Sequence, residues 1–190
     1  MLKNLQSKSI FLASKSPRRK ELFESLGIPF TLAIKDVNED FPSTMDVYEV
    51  AEFLATKKAN AFEPTHNDII ITADTVVICE GQILNKPQDH AEATEMLRLL
   101  SDNTHDVITG VCILTEDKKI SFSETTEVSF KPLSDEEIDY YINNYKPYDK
   151  AGAYGIQEWI GKVGIKEIKG DYYNVVGFPL ARVYNILVNL

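Results

Sequence analysis

The stretch "SIFLASKSPRRKELFESLG", residues 9–27, places an apolar run directly before a strong helix signal. The run "SIFLAS" is typical of a short buried strand. Ser16 followed by Pro17 predicts a helix start, because a hydroxyl caps the first turn and proline at the first helical position needs no hydrogen-bond donor. Apolar residues then recur at helical spacing until Gly27, where we expect the helix to end. The stretch therefore predicts a strand–loop–helix unit.

Two arginines stand at an unfavourable place in this helix. Arg18 and Arg19 occupy the first turn, where the helix dipole already amounts to roughly half a positive charge and each added cation is misplaced by about 0.3–1 kcal/mol. The same helix end carries backbone N–H groups without partners inside the helix, and such groups favour bound anions. We therefore expect an anion, such as a phosphate group, to bind at this helix start.

Strand and helix patterns alternate along the rest of the chain. Predicted strands cover residues 30–37, 68–79, 105–114, 120–130 and 163–168, and predicted helices cover 46–62, 89–100, 134–145 and 178–190. Capping-box spacing opens three of these helices, at Asp46 and Glu49, at Asp89 and Glu92, and at Ser134 and Glu137. Neither a repeat nor a linker divides the sequence. The alternation predicts the α/β class with a mixed sheet, as a single domain over residues 1–190.

The composition argues against several classes of function. The 190 residues carry a net charge of −9, so we do not expect a surface for nucleic acid, which needs an excess of Lys and Arg. Cys79 and Cys112 stand inside apolar runs without a C-x-x-C pair, and the histidines lack zinc-type spacing, so we predict reduced, buried thiols and no His/Cys metal site. No apolar run approaches the length of a signal peptide core or a membrane span. We predict a cytoplasmic protein without a membrane partner.

Asp74 interrupts an apolar strand pattern, with three isoleucines before it and Val76, Val77 and Ile78 after it. Aspartate is depleted in strands, and an isolated buried carboxylate is expensive to desolvate. One interpretation is a bulge or strand end, where Asp74 caps a neighbouring backbone group. The other is a carboxylate held at a cleft as a general base or a metal ligand.

Two lysines also stand in unexpected places. Lys58 falls on the apolar face of its predicted helix, so either its stem is buried with the ammonium in water or the ammonium serves a site. Lys86 precedes Pro87 and is biased to an extended conformation, either as a surface lysine in a turn or leaning into a cleft.

Two further segments carry candidate site residues. The acidic run with Asp36, Glu39 and Asp40 is either a solvated loop or, paired with Asp74, a site for Mg²⁺ or Mn²⁺. Residues 149–157, "DKAGAYGIQ", form either a tightly packed loop or a segment that a ligand approaches closely. The amide of Gln157 can read a base edge there, because it both donates and accepts hydrogen bonds.

Together these cations and carboxylates are typical of phosphoryl chemistry, in which cations hold phosphates and a carboxylate activates water. The sequence has no G-x-x-x-x-G-K-[ST] loop, so it is not a P-loop enzyme. No candidate Ser/His/Asp or Cys/His triad stands out either.

The motifs "SKSPRRKELFESLG", "ADTVV", "THDVITGV", "YDKAGAYGIQ" and "GDYYNVVGFPLA" resemble those of the Maf family of nucleoside-triphosphate pyrophosphatases, in order from about residue 10 to residue 187. The resemblance implies a mixed, twisted sheet with flanking helices, in two lobes around a central cleft, similar to inosine-triphosphate pyrophosphatases. It implies hydrolysis between the α- and β-phosphates with a divalent cation, Mg²⁺ or Mn²⁺. A homodimer is also expected.

The resemblance further implies a role for each matching residue. Asp74 would be the general base, Glu39 an acidic residue near the metal, and Arg19, Lys58 and Lys86 the cations on the phosphates. The metal ligands would be Glu39 and Asp74.

Three positions in the family distinguish substrates. Arg18, Thr75 and Gln157 match the subfamily that prefers dTTP and UTP, which would also extend to modified pyrimidine triphosphates. Where the family usually has glycine after that glutamine, this sequence has Glu158, and a carboxylate beside the base pocket could alter the substrate preference. We also expect substrate contacts from Ser14, Ser16 and Lys150.

Two other functions stay open at the level of sequence. Proteins of this kind are associated with arrest of cell division, so the chain is alternatively a nucleotide-sensing regulator that inhibits septum formation by binding a partner. A nucleotidyl or phosphoryl transferase is a weaker alternative. The sequence also leaves open which phosphorus is attacked.

Overall fold

The opening stretch forms the predicted strand–loop–helix unit in the computed structural model, which describes residues 3–190. Strand β1 (Ser9–Ala13) is followed by helix α1 (Pro17–Glu24). Gly27 follows the helix with a φ of 66°, a left-handed conformation that glycine adopts without strain. The predicted start and end of this unit are therefore confirmed.

The remaining elements alternate as the sequence predicts. The further strands are β2 (Thr31–Leu32), β3 (Asp68–Cys79), β4 (Gln82–Leu84), β5 (Thr104–Leu114), β6 (Lys119–Phe130) and β7 (Ile165–Lys169). The further helices are α2 (Val50–Ala59), α3 (His90–Leu100), α4 (Asp135–Tyr145), α5 (Trp159–Gly164), α6 (Tyr172–Val176) and α7 (Leu180–Val188). Short 3-10 turns lie at Lys3–Leu5 and Ala151–Ala153.

The seven strands form one sheet in the order β2-β1-β3-β5-β6-β7, and β4 pairs with β3. Strand β1 runs parallel to both β2 and β3, whereas β4 is antiparallel to β3 and β7 is antiparallel to β6. Parallel and antiparallel pairs thus occur together, with helices between the strands along the chain. The predicted mixed α/β class is confirmed.

By its internal contacts the chain divides into two compact units. The first takes in the residues up to Asp74 together with Thr109–Glu124 and Gly177–Leu190. Its core consists of apolar side chains from β1, α1, β3, β5, α7 and the residues just before α7, among them Leu12, Phe23, Ile71, Phe178 and Val183.

The second unit comprises Thr75–Ile108 and Thr125–Val176. Its core is built mainly from α3, α4 and the segment that follows α4, among them Leu97, Ile138, Tyr141, Tyr154 and Ile160. The expectation of one domain over residues 1–190 stays a prediction.

Several predicted boundaries are wrong. The strand expected at 30–37 is reduced to Thr31–Leu32, because only these two residues pair with β1. The apolar side chains of Leu32 and of the nearby Ile34 are exposed. The helix expected at 46–62 covers only Val50–Ala59, and no capping box forms, because Asp46 accepts from Tyr48 in a separate turn.

The other two predicted helix caps are confirmed, whereas the start of one predicted strand is wrong. Helix α3 is capped by Asp89, and α4 opens with a complete capping box at Ser134 and Glu137, as predicted. The strand expected at 163–168 begins later, because Val163 and Gly164 belong to α5. Helices α5 and α6 and the short β4 were missed, since none has a clear periodic pattern.

Both cysteines are buried with free thiols, as predicted, and burial raises the pKa of each thiol. Across the described residues 3–190, none of the helices combines the length and the apolar character that a membrane span requires.

Candidate active site

Two serine hydroxyls hold the start of α1. Ser16 is the N-cap residue, and its Oγ accepts from the backbone N–H of Arg19 at 3.4 Å. Ser14 Oγ accepts from the backbone N–H of Ser16 at 3.2 Å and from Arg19 Nη1 at 3.4 Å. One of the backbone N–H groups that we expected to bind an anion, that of Arg19, is therefore already bonded to Ser16.

The guanidinium of Arg19 is oriented by backbone carbonyls. Its Nε donates to Gly177 at 2.8 Å and its Nη1 donates to Ala73 at 2.9 Å. Burial lowers the pKa of Arg19 from its usual value, and the nearby carboxylate of Asp74 opposes this effect. The group stays charged at neutral pH because the usual pKa of arginine is so high. Arg19 is thus a fixed cation beside the residue that precedes Asp74.

Lys58 joins the two carboxylates that the sequence singled out. Its Nζ lies 2.6 Å from Asp74 Oδ1 and 2.7 Å from Glu39 Oε1. The side chains of Lys58 and Asp74 are only 19% and 14% exposed, whereas Glu39 is 54% exposed. The ammonium therefore serves an ion-pair cluster rather than reaching open water. A strand end at Asp74 is wrong, because β3 continues through it.

Close packing of α2 on the sheet brings these groups together. A Cβ at Gly110 on β5 would lie 2.2 Å from the α2 backbone, so only glycine allows this approach. Thr72 Oγ1 donates to the carbonyl of Ala55 in α2 at 2.7 Å. Since Thr72 and Asp74 point to the same face of β3, this bond places the following turn of α2, with Lys58, over Asp74.

The carboxylates suit a divalent cation in number and type. Asp74 and Glu39 supply oxygen ligands at one point, where they already bind the cationic Lys58. Of the other predicted acidic residues, Asp36 pairs instead with Lys15 at 2.5 Å. Among residues 3–190 no group of three His, Cys, Asp or Glu gathers in one place. The donor set therefore fits Mg²⁺ or Mn²⁺, which commonly take one or two carboxylates and complete their shell with water and substrate phosphates.

A second cluster lies within the second unit. Lys150, whose side chain is 9% exposed, pairs through Nζ with Asp149 Oδ1 at 2.7 Å and with Glu158 Oε1 at 3.1 Å. Tyr141 donates its hydroxyl proton to Glu158 Oε2 and accepts from the backbone N–H of Gly155 at 3.0 Å. Burial, followed by the contact with Glu158, raises the pKa of Tyr141.

Three further residues of this unit were predicted to take part in the site. The side-chain Oε1 of Gln157 is buried and has no hydrogen-bond partner within the described part of the chain. Thr75 follows Asp74 on β3 and is half-buried, and Lys86 is exposed in the segment between β4 and α3. The roles of all three residues stay predictions.

Sequence reasoning missed the residues that hold the predicted ones in place. Gly110 had a readable signal, since a glycine inside a strand marks a close backbone approach. The carbonyls of Ala73 and Gly177 had none, because backbone groups leave no trace in side-chain patterns. Tyr141 on the buried face of α4 reads as an ordinary core aromatic.

Comparison with known sequences identifies the family of the chain. The family model described as "Maf-like protein" matches residues 9–190, and the chain belongs to this family. It is 48% identical over 190 residues to the "dTTP/UTP pyrophosphatase" of Parabacteroides distasonis, covering 98% of each chain. It is 50% identical over 193 residues to the protein of the same name from Phocaeicola vulgatus, covering 100% of each.

Among solved structures, the nucleoside-triphosphatase / dITP/XTP pyrophosphatase of Mycobacterium abscessus is similar with a TM-score of 0.40 and 16% identity, over 64% of this chain and 72% of that chain.

Proposed function

We propose that this chain hydrolyses nucleoside triphosphates, preferring dTTP and UTP, to the monophosphate and diphosphate. The observation that carries the proposal is the meeting of Lys58, Asp74 and Glu39 beside the oriented Arg19. The near-full-length similarity to relatives named dTTP/UTP pyrophosphatase supports the choice of reaction and substrate. We propose that residues 1–190 act as one catalytic domain.

Asp74 is the proposed general base. Lys58 donates a hydrogen bond to Asp74 Oδ1. This bond orients the carboxylate so that Oδ2 accepts a proton from the attacking water. The water oxygen forms a bond to phosphorus at the α- or β-position, and the anhydride oxygen between the two phosphates leaves with the bonding electrons. A general base at this step contributes about 10²–10⁴-fold to the rate.

Cations bind the triphosphate and neutralise charge that develops on its oxygens. Arg19 is held in place by backbone carbonyls, so little ordering is required when phosphate binds. Lys58 keeps its bond to Asp74 and exchanges the exposed Glu39 for phosphate oxygens. Lys86 has the same role by the family resemblance.

Asp74 and Glu39 are the proposed ligands of a divalent cation, Mg²⁺ or Mn²⁺. When bound, such an ion neutralises charge on the transferring phosphate and its leaving group.

Arg18, Thr75 and Gln157 are the proposed selectors of the base. Within residues 3–190 the buried Oε1 of Gln157 has no hydrogen-bond donor, and an unpaired buried acceptor costs about 1–3 kcal/mol. Turning this amide toward the N3–H of thymine or uracil would offset that cost, whereas cytosine has an acceptor at N3. Ser14, Ser16 and Lys150 complete the proposed substrate-binding set.

In the cell we expect removal of surplus or modified pyrimidine triphosphates from the cytoplasmic precursor pool. The partner would be this small molecule rather than nucleic acid or a membrane, and we expect a homodimer. The alternative of a regulator that inhibits septum formation gains no support from the site or the relatives, and we do not propose it.

The test is a pyrophosphate-release assay over dTTP, UTP, dCTP, dATP and dGTP, with and without Mg²⁺ or Mn²⁺. We expect equal amounts of monophosphate and pyrophosphate, fastest from dTTP and UTP and dependent on the metal. Release of single phosphate, or the need for an acceptor other than water, would contradict the proposal.

A further inference from the structure

Glu158 immediately follows the proposed base-reading residue Gln157 and occupies the N-cap position of α5. Its carboxylate does not cap that helix. Instead each oxygen has another partner, Lys150 Nζ for Oε1 and the Tyr141 hydroxyl for Oε2. The side chain therefore connects α5 to α4 and to the start of the 149–157 segment.

These bonds close a ring around the turn that carries Gln157. The backbone N–H of Glu158 donates to the carbonyl of Gly155 at 3.0 Å, which closes a turn over residues 155–158. The N–H of Gly155 donates to Tyr141, and Tyr141 donates to the Glu158 carboxylate. Both backbone groups of Gly155 are thus tied to Glu158, and Gln157 lies inside the turn.

Packing and burial make this ring rigid. Tyr141 is fully buried in the core of its unit and Lys150 is 8% exposed. A Cβ at Gly155 would lie 2.9 Å from the Glu158 carboxyl carbon and 3.1 Å from Lys150 Cε, so both side chains pack directly on this backbone. Charged hydrogen bonds in such surroundings are stronger and better oriented than those in water.

We propose that Glu158 is a positioning residue for base selection: through Tyr141 and Lys150 it fixes the 155–158 turn and so presents the Gln157 amide to the base. The inference rests on the proposed function, because it needs a substrate whose base Gln157 reads. It also gives a role to the residue at which this chain departs from the glycine usual in its family.

The test compares Glu158→Gln and Tyr141→Phe with the wild-type chain. Glu158→Gln keeps the size of the side chain but removes the negative charge that pairs with Lys150. Tyr141→Phe removes the hydroxyl that binds Glu158 and keeps the aromatic side chain. The matched control is Glu95→Gln, on an exposed position of α3. Steady-state kinetics with dTTP and dCTP, together with thermal unfolding, give the readouts.

We expect both variants to lower the ratio of kcat/KM for dTTP over dCTP by about tenfold, the scale of one well-placed hydrogen bond. The change should come mainly from a higher KM for dTTP, and the control should keep the wild-type ratio. A merely structural role for Glu158 would lower the melting temperature without changing this ratio.

The outcomes separate the inference from the function on which it rests. Folded variants with the wild-type ratio contradict the inference and leave the proposed function intact. If Glu158→Gln fails to fold, Tyr141→Phe decides alone. A wild-type chain that does not prefer dTTP over dCTP contradicts the proposed function, and the inference with it.

Discussion

Two lysines of this protein are each bound by two carboxylates, yet their surroundings differ. Lys58 pairs with Asp74, which is 14% exposed, and with Glu39, which is 54% exposed. Lys150 pairs with Glu158 and Asp149, which are 20% and 54% exposed. In charge and exposure the two clusters are nearly the same.

The difference lies in what else holds the carboxylates. The partners of Lys58 come from separate parts of the chain, and Glu39 stands in a segment without regular structure. The partners of Lys150 are local, and Glu158 is also tied to the buried Tyr141. We infer that the Lys58 cluster exchanges partners when a ligand arrives, whereas the Lys150 cluster holds its geometry. One arrangement suits chemistry and the other suits positioning.

The largest expected effect tests the chemical cluster. Asp74→Asn keeps the shape of the side chain and removes the base, so we expect the rate of dTTP hydrolysis to fall by at least about 100-fold. Pyrophosphate release by the purified variant measures the loss. Circular dichroism should show an unchanged fold.

The matched control for this prediction is Asp68→Asn, at the start of the same strand. Asp68 accepts from the backbone and hydroxyl of Thr65, so its replacement should weaken that turn and leave turnover within about twofold, as is usual away from a site. Near-normal turnover in the Asp74 variant would remove Asp74 from the mechanism.

The second prediction compares stability directly. Lys150→Met leaves Glu158, which is 20% exposed, without its cation, and breaking a largely buried pair costs about 3 kcal/mol of the free energy of unfolding. Lys58→Met should cost only about 1–2 kcal/mol, because Arg19 remains as a cation near Asp74 and the exposed Glu39 can turn to water. Urea unfolding of both variants measures the difference.

Lys20→Met serves as the control, since Lys20 is exposed and forms a weak pair with Glu24 at 3.4 Å. Its effect should stay within about 0.5 kcal/mol. Equal losses for Lys58 and Lys150 would erase the proposed distinction between the two clusters.

The sequence was informative wherever a residue violated its local pattern. Asp74 in an apolar strand and Lys58 on an apolar helix face could both be singled out, because burying a charge requires a partner. The structure shows that they are each other's partners. Their distance from Arg19 could not be derived, since it depends on carbonyls that hold the guanidinium.

The segments with few buried side chains were predicted least well. The 30–37 pattern alternates like a strand, yet only Thr31 and Leu32 pair with β1, and the apolar Leu32 and Ile34 are exposed. Glu158 could be noted only as a departure from the family pattern. Its three-way contact depends on Tyr141, whose role a sequence pattern cannot separate from core packing.

The third prediction concerns the loss of stability at low pH in the unit that holds Lys150. Burial lowers the pKa of His105 to about 4, below the 6.5 of an exposed histidine. The folded chain therefore binds fewer protons than the unfolded chain, so this stability is complete above about pH 6.5 and is lost as the pH falls toward 4. Between pH 7 and 4.5 the loss should be about 2 kcal/mol.

Urea unfolding at several pH values measures this loss, with His105→Gln as the variant that cannot titrate. Its amide can still pair with the Tyr154 hydroxyl, which lies 2.7 Å from His105 Nε2. His66→Gln is the control, because His66 is 81% exposed. A His105→Gln protein that keeps the full wild-type acid loss would show that His105 is not its source.

The smallest expected effect concerns base selection by a residue of helix α1. Arg18 lies in the first turn of α1, and its guanidinium can donate to the carbonyl oxygens of thymine and uracil. Arg18→Trp removes these donors, so kcat/KM for dTTP and UTP should fall by about tenfold, the scale of one lost charged hydrogen bond.

The ranking of nucleotides, rather than the overall rate, decides this last prediction. Lys20→Trp in the same helix adds the same bulk at an exposed position and should leave the ranking unchanged. If Arg18→Trp slows all nucleotides equally, Arg18 acts only on the common triphosphate, and selection would then rest on the rigid turn that carries Gln157. If dTTP and UTP alone are slowed, the unit that holds the Lys58 cluster also reads the base. The division between a chemical and a positioning cluster is then less complete than their contacts suggest.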